Sequence, residues 1–405
     1  MRGFQNYLPR IKLNVFEDIL LGILLIILIY TFNTKLSSGE NSIIIVYFIS
    51  FLSILMMLNY FIKFGFPKGK INNIFLVFAI YILFIFFYAF ISNDIDGLRM
   101  TTRLIVLLSL LFLFCFIKWN RTNMFVLAYL FSFVTLHLFL GWLIEDRPLL
   151  YSGIFYNANN LGIFIYLILY FHLIAWIISK RYLSKFFWAK IIVLDLVLIA
   201  TSNARSIWLS LLVSCVFYIV YNFITSKRVY YRLSFFVIIF LVLLFSYVYP
   251  MLYTMDIGWK INEIIFNYTG KNFFSGRQWL WMELGYYINK QPLMGYGVSI
   301  FPSDLLNTDL SSHNMYIQLL LQTGFIGLAL FILLLFMIWD YFFVKNGNKL
   351  VKLSLAFFGG LIVYQTFEMS FIQGNYQFNV LQWILISMGI SFVNDEYGTH
   401  KNSYF

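Results

Sequence analysis

Apolar runs long enough to cross a bilayer recur from one end of the chain to the other. About 20 helical residues span the hydrocarbon core, and in lipid each helix must satisfy its own N–H and C=O groups. By that measure spans are expected near residues 16–32, 42–62, 73–92, 103–118, 124–144, 160–178, 187–201, 205–224, 232–250, 313–340, 350–370 and 377–393. The fold class is therefore an all-α polytopic membrane protein of about twelve transmembrane helices, one transmembrane domain over 1–405. The run at 187–201 is short and pairs with 205–224 as a helical hairpin. No small-residue cleavage site follows 16–32, so that run reads as a retained span and not a removed signal. Composition agrees, since 61% of the residues are hydrophobic and only 11% charged, unlike soluble domains.

The net charge of +11 needs a place. A nucleic-acid binder would gather it in one basic patch, whereas here it is spread between the spans. With the N-terminus placed inside, 19 of the 28 basic residues fall in inside segments and nine outside. Four of those nine lie in one long loop, where the positive-inside bias is weak. Both termini are thus expected in the cytoplasm. The long loop, 251–312 between spans nine and ten, is expected to be extracytoplasmic. No duplication of the two-halved transporter kind is visible. Cys115 and Cys215 lie inside apolar runs and read as packing residues.

The long loop has structure of its own. Trp259, Ile261, Ile264, Ile265 and Tyr268 form an apolar stripe broken by Lys260, Asn262 and Glu263, as in a helix lying in the interface. Ser275 followed by Gln278 is a capping-box pattern, which puts Arg277 in the first turn of the next helix. Free N–H groups and the helix dipole there favour an anion, and a guanidinium adds a fixed fork of donors. Pro292 ends that helix; Ser311 or Ser312 is expected to cap the following span, with His313 at its mouth. Arg205, at the tip of the 187–224 hairpin, joins Arg277 and His313 on the outer face. Each also has a plainer reading, as a snorkelling anchor, a solvated loop residue or a helix-end polar group.

Other polar positions divide between structure and chemistry. Asp195 lies in span seven near Lys190 and reads as half of a structural pair. His137 and His172 read as packed or interhelical bonding groups. Asp94 and Asp96 read as solvated loop acids. Glu368, near the outer end of span eleven, could contact sugar or act as a base in place of His313. Arg99 and Arg103 could hold a second lipid diphosphate or serve as interfacial anchors. Trp259, Trp279 and Trp281 suit sugar stacking and an aromatic belt equally.

Five stretches together resemble the O-antigen ligase and Wzy-type polysaccharide polymerase superfamily. They are the Thr201-Ser202-x-x-Arg205 turn, Ser275-Gly276-Arg277, Gln291-Pro292-Leu293-Met294-Gly295-Tyr296-Gly297, His313-Asn314-x-Tyr316-x-Gln318 with Thr323-Gly324-Phe325-Ile326-Gly327, and Asn157-x-Asn159-Asn160. The similarity covers about 150–340, and its specificity lies in the order and spacing of the motifs. The turn carries Asn203-Ala204 where the family more often has Thr-x-Ser-Arg, and Gln291 replaces a more usual Asn. The resemblance implies a GT-C-like membrane fold and a glycosyltransferase without metal or other cofactor. It implies an undecaprenyl-diphosphate-linked oligosaccharide as donor, a lipid-linked repeat unit as acceptor, and the outer face of a bacterial cytoplasmic membrane as the place. Polymerase is the leading expectation; a ligase acting on a terminal acceptor and, in another class, a twelve-span flippase are the alternatives. A flippase and a chain-length regulator of the same pathway are the implied protein partners, and no nucleic acid is expected. Arg277 and Arg205 would meet the diphosphate charge, and His313 would accept the acceptor's proton or orient substrate. Asn314, Tyr316, Gln318, Asn159, Asn160, Glu368, Arg99 and Arg103 are the expected substrate-binding positions.

Overall fold

The structure, a computed structural model, describes residues 12, 39–67 and 69–402. The expected span at 16–32 lies outside them. Every later expected span has its helix. In chain order these are α1 (Gly39–Phe64), α2 (Lys70–Ile91), α3 (Ile95–Phe116), α4 (Arg121–Ile144), α5 (Ala158–Ile178), α6 (Tyr182–Ser202), α7 (Arg205–Ile224) and α8 (Arg228–Tyr253). The long loop then contributes α9 (Asp256–Thr269), α10 (Arg277–Lys290) and the single turn α11 (Pro302–Leu305). The chain re-enters the bundle as α12 (Met315–Tyr341), α13 (Lys349–Tyr364) and α14 (Tyr376–Asn402). No strand occurs among the described residues.

Eight of these helices are long and apolar enough to cross a membrane: α2 to α5, α7, α8, α12 and, over Tyr376–Glu396, α14. In α1, Ser53–Phe64 is a further apolar stretch; α6 and α13 fall short for separate reasons. α6 carries Lys185, Lys190 and Asp195. α13 has 16 residues, because Gln365 ends it earlier than the 350–370 run suggests. The Gln365 Oε1 accepts from the N–H groups of Ser370 (2.9 Å) and Phe371 (3.1 Å), which folds the chain into a turn.

The most deeply covered helix is α14, in which residues 376–393 are all buried. Its hydrophobic side chains meet α3, α5, α12 and α13, and its buried amides bond inward, as Gln382 does to Ser370 Oγ at 2.8 Å. Against α7, α13 approaches closely at Gly360. A Cβ there would lie 2.3 Å from the Tyr166 hydroxyl oxygen and 2.7 Å from the Ser210 carbonyl oxygen, so any larger residue would push the helices apart.

The two ends of the bundle are distinguished by their contacts. At one end the Asp340 carboxylate of α12 is gripped by Arg228 and Arg232 of α8. At the other end lie the hairpin tip, the turn before α3, the turn after α13 and the long loop.

α12 is interrupted at Gly324 (φ 61, ψ −161). A break inside a membrane helix strands backbone groups, each costing several kcal/mol in hydrocarbon if left unpaired. The segment after Pro292 fills this break. Tyr296 and Gly297 donate their N–H groups to the carbonyls of Leu321 (2.9 Å) and Gln322 (3.0 Å). Phe325 and Ile326 donate theirs to the carbonyls of Pro292 (2.8 Å) and Leu293 (3.3 Å). A Cβ on Gly324 would lie 2.3 Å from the Leu293 carbonyl, so the docking requires a residue with no side chain. The two Gly-containing motifs, thirty residues apart in sequence, are thus one structural unit.

Candidate functional site

Three segments converge at the loop end. Arg277 is the first residue of α10, where sequence spacing places it, but its cap differs from expectation. Gly276 (φ 90) occupies the cap position with no side-chain bond, while the Ser275 N–H donates to the Tyr249 hydroxyl at 3.2 Å. His313 likewise precedes its helix by one residue more than expected. Asn314 is the N-cap of α12, its Oδ1 accepting from the N–H groups of Tyr316 (3.0 Å) and Ile317 (3.1 Å). Neither Ser311 nor Ser312 caps it; the Ser312 hydroxyl donates to the Asn314 carbonyl and contacts Met369 Sδ. Glu368 lies in the turn that Gln365 organises.

The Glu368 carboxylate joins the other two. Its Oε1 lies 3.3 Å from Arg277 Nη2 and its Oε2 3.1 Å from His313 Nδ1. The side chains of Arg277 and Glu368 are each 21% exposed and that of His313 34%, so the cluster is sheltered yet reachable. His313 has φ 48, a left-handed conformation that costs a non-glycine residue about 1–3 kcal/mol. Surrounding bonds hold it there. Trp281 of α10 donates its indole N–H to the Ser312 carbonyl (2.7 Å), and Met315 donates its N–H to the Gln365 carbonyl (2.8 Å). Asn314 Nδ2 donates to Ser246 Oγ of α8 at 2.9 Å. Each of the three segments is therefore tied to another beside the residue it presents.

A second cationic group stands at the hairpin tip. Asn203 ends α6 in the left-handed conformation (φ 56), and Arg205 begins α7. Arg205 Nη1 donates to the Asn272 carbonyl at 2.7 Å, five residues before Arg277. Lys271 donates to the Asn203 side chain and carbonyl. Burial, then the Arg205 charge beside it, lowers the Lys271 pKa. Two like charges are thus fastened next to each other, an arrangement that an anion between them would relieve. Lys271 has no motif and was not legible in the sequence.

The remaining expected positions are placed as follows. Asn314, Tyr316 and Gln318 are fully buried and serve the framework. The Tyr316 hydroxyl donates to the Ile362 carbonyl (2.8 Å), and Gln318 Nε2 to the Ile300 carbonyl (2.8 Å). Asn159 and Asn160 are half-buried in the first turn of α5, below its cap Asn157. Arg99 is exposed and paired with Asp96 at 2.6 Å, and Arg103 is exposed one turn further along α3.

Two sequence expectations are overturned. Asp94 is not a solvated acid. It caps α3 through the Gly97 N–H (2.8 Å) and accepts from both the N–H (2.9 Å) and the hydroxyl (2.7 Å) of Ser299 in the long loop. Burial alone would raise its pKa, but these bonds to the charged form outweigh it and hold the carboxyl below its ordinary value. Nor does Asp195 pair with Lys190, which lies over the Phe186 ring. Asp195 Oδ2 is 2.6 Å from His172 Nδ1 of α5, and Oδ1 accepts from the Thr135 hydroxyl of α4 at 2.8 Å. Neighbouring helices, not neighbouring residues, supply its partners.

Fold and cluster together define a multi-helix membrane protein that presents an Arg–Glu–His bridge and an Arg–Lys pair at one end of its bundle. Residues 190–332 match the family model described as O-antigen ligase (Wzy_C), consistent with the O-antigen ligase/polymerase superfamily. Arg205, Lys271, Arg277 and His313 all fall inside the matched segment; Glu368 lies beyond it. Members of that family are glycosyltransferase-like enzymes acting on lipid-linked glycans. No functionally curated protein matches the chain.

Proposed function

We propose that this protein polymerises a surface polysaccharide. It would move a glycan from an undecaprenyl-diphosphate-linked donor to a hydroxyl of a lipid-linked repeat unit, on the extracytoplasmic face of the cytoplasmic membrane. The observation that carries the reading is the Arg277–Glu368–His313 bridge at the end of the bundle that holds the long loop.

In this reading His313 is the base. With Nδ1–H donated to Glu368, the lone pair sits on Nε2, ready to accept the proton of the attacking hydroxyl. The hydroxyl oxygen forms a bond to the anomeric carbon, the bond from that carbon to the phosphate oxygen breaks, and its electron pair leaves with the lipid diphosphate. Glu368 then stabilises the imidazolium. Arg277, in the sheltered bridge, keeps donors beyond the one facing Glu368, and the exposed Arg205 with Lys271 adds positive charge at the hairpin tip, so the growing diphosphate charge meets fixed cations.

Two other outcomes have definite signatures. The matching family's description names a ligase, and the same chemistry on a terminal acceptor would give that product. A transporter would use a broken helix to line an open path; here the break at Gly324 is filled by the loop after Pro292. The test is complementation of cells lacking the gene, with glycan resolved on a gel. A polymerase restores a ladder that His313→Ala abolishes at equal expression. A ligase restores transfer of preformed chains with no change in chain length. A wild-type ladder from His313→Ala would remove His313 as the base.

A further inference from the structure

The end of the bundle opposite the long loop carries an unbalanced charge. Arg228 and Arg232 of α8 both grip the Asp340 carboxylate of α12. Arg232 Nε donates to Oδ1 at 2.8 Å, and Arg228 Nη2 donates to Oδ2. Lys70, the first residue of α2, lies within electrostatic reach of both arginines and of the carboxylate. Three cations thus share one acid, an excess of two positive charges. The arginine side chains are 36% and 48% exposed and that of Asp340 only 16%, so the acid is covered while the cations stay reachable. Each guanidinium keeps its Nη1 donors clear of Asp340. Each also lies over a ring, Arg228 over Phe343 at 5.3 Å and Arg232 over Phe336 at 6.0 Å.

Topology does not explain this arrangement. The positive-inside bias asks only for basic residues in a segment; it does not ask α2 and α8, far apart in the chain, to bring theirs to one acid. Both helices also begin here without a side-chain cap and with no acidic residue in the first turn, so their free N–H groups add to the same field. The surface running away from the cations is apolar. Phe236 and Phe240 follow Arg232 on α8, and Phe336 and Leu333 precede Asp340 on α12, at the spacings that keep side chains on one helix face. The Phe236 and Phe336 rings meet at 5.3 Å, and Phe236, Phe240 and Leu333 are exposed.

We infer that this cluster seats the phosphate of an anionic phospholipid, with its acyl chains along Phe236, Phe240 and Leu333. The proposal is independent of the transfer reaction above and of the loop end of the molecule. Three cations sharing one acid suit a singly charged phosphodiester. Its two free oxygens can take the outward donors of both arginines while Lys70 approaches from α2. A zwitterionic headgroup brings its own cation to a place that already has too many. A soluble acidic peptide or a free phosphate would leave the neighbouring phenylalanines uncovered. A phospholipid seated here ties α2 to α8 across α12.

The test uses the full-length protein in detergent, titrated separately with phosphatidylglycerol and phosphatidylcholine, with bound lipid counted by native mass spectrometry. Phosphatidylglycerol is expected to bind its tightest site about tenfold or more better than phosphatidylcholine. Lys70→Gln, which leaves the Arg–Asp clamp intact, should weaken that site about fivefold, and Lys70→Arg should restore it. Asp340→Asn should tighten it, because the charge excess grows; a clamp that served packing alone would lose stability with no change in lipid preference. If Asp340→Asn does not fold, the Lys70 variants decide. In nanodiscs, a phosphatidylglycerol with a diazirine on its headgroup should label the first turns of α2 and α8. Equal binding of the two lipids, unchanged affinity in Lys70→Gln, weaker binding in folded Asp340→Asn, or labelling confined to other helices overturns the inference. So does displacement of the lipid by inorganic phosphate, which would mark a small-anion site.

Discussion

Among the described residues, the His172–Asp195 and His313–Glu368 pairs differ in nearly every property that matters for chemistry. His172 and Asp195 are wholly buried between α4, α5 and α6, with Trp188 stacked on the imidazole and Thr135 on the carboxylate. His313 and Glu368 are partly exposed, at a helix mouth, with strained backbone on the histidine and a guanidinium on the carboxylate. The first pair satisfies polar groups that helix packing has enclosed. The second holds a cation and an imidazole where a substrate can reach them. The lesson is that the same two functional groups become framework or site according to what surrounds them.

Substitutions can break that comparison, beginning with the largest effect. His313→Ala should lower transfer about 10²- to 10⁴-fold, whereas His172→Ala should leave turnover per folded molecule within about twofold; equal losses in a rate assay would erase the distinction. Arg277→Lys keeps the charge but loses the fork, and should cost about 10²- to 10³-fold in kcat with the unfolding temperature unchanged. Asp195→Ala should act the opposite way, costing about 3–5 kcal/mol of stability in detergent unfolding while the surviving folded fraction keeps its turnover. Gly324→Ala should cost about 1–3 kcal/mol and expose the loop after Pro292 to protease.

The smallest effect concerns Asp94. Its folded pKa is depressed, so its contribution is present above the unfolded value and lost as pH falls through the folded one. Acid should therefore release the Ser299 clasp and speed cleavage near 299 in a proteolysis series. Asp94→Asn should remove most of that pH dependence and cost about 1 kcal/mol.

Helix positions were readable because apolar run length is a local property. Each expected span from 42–62 onward has its helix, and at some ends a particular side chain sets the boundary, as Asp94, Asn314 and Gln365 do. Arg205, Arg277 and His313 could be placed at one end from motif order and loop alternation alone. Their mutual geometry could not. Arg277 and His313 meet only through Glu368, ninety-one and fifty-five residues away, while Arg205 is held apart on Asn272. The true partners of Asp94 and Asp195 were hidden for the same reason, since a nearer residue in sequence offered a simpler explanation. The pairing of Pro292–Gly297 with Gly324 was invisible because a glycine's neighbour across the fold leaves no mark on periodicity.

That last pairing also bears on how the chain is made. When α12 first enters lipid its ladder is open at Gly324, and the peptide groups on either side have no mates within the helix. The stretch that closes the gap, residues 292–297, has already been synthesised by then. Biogenesis of this segment is thus a two-part joint: docking of the upstream connection completes the seating of the downstream helix. A ribosome stalled between the two would leave behind a half-built span with no lasting home in the bilayer.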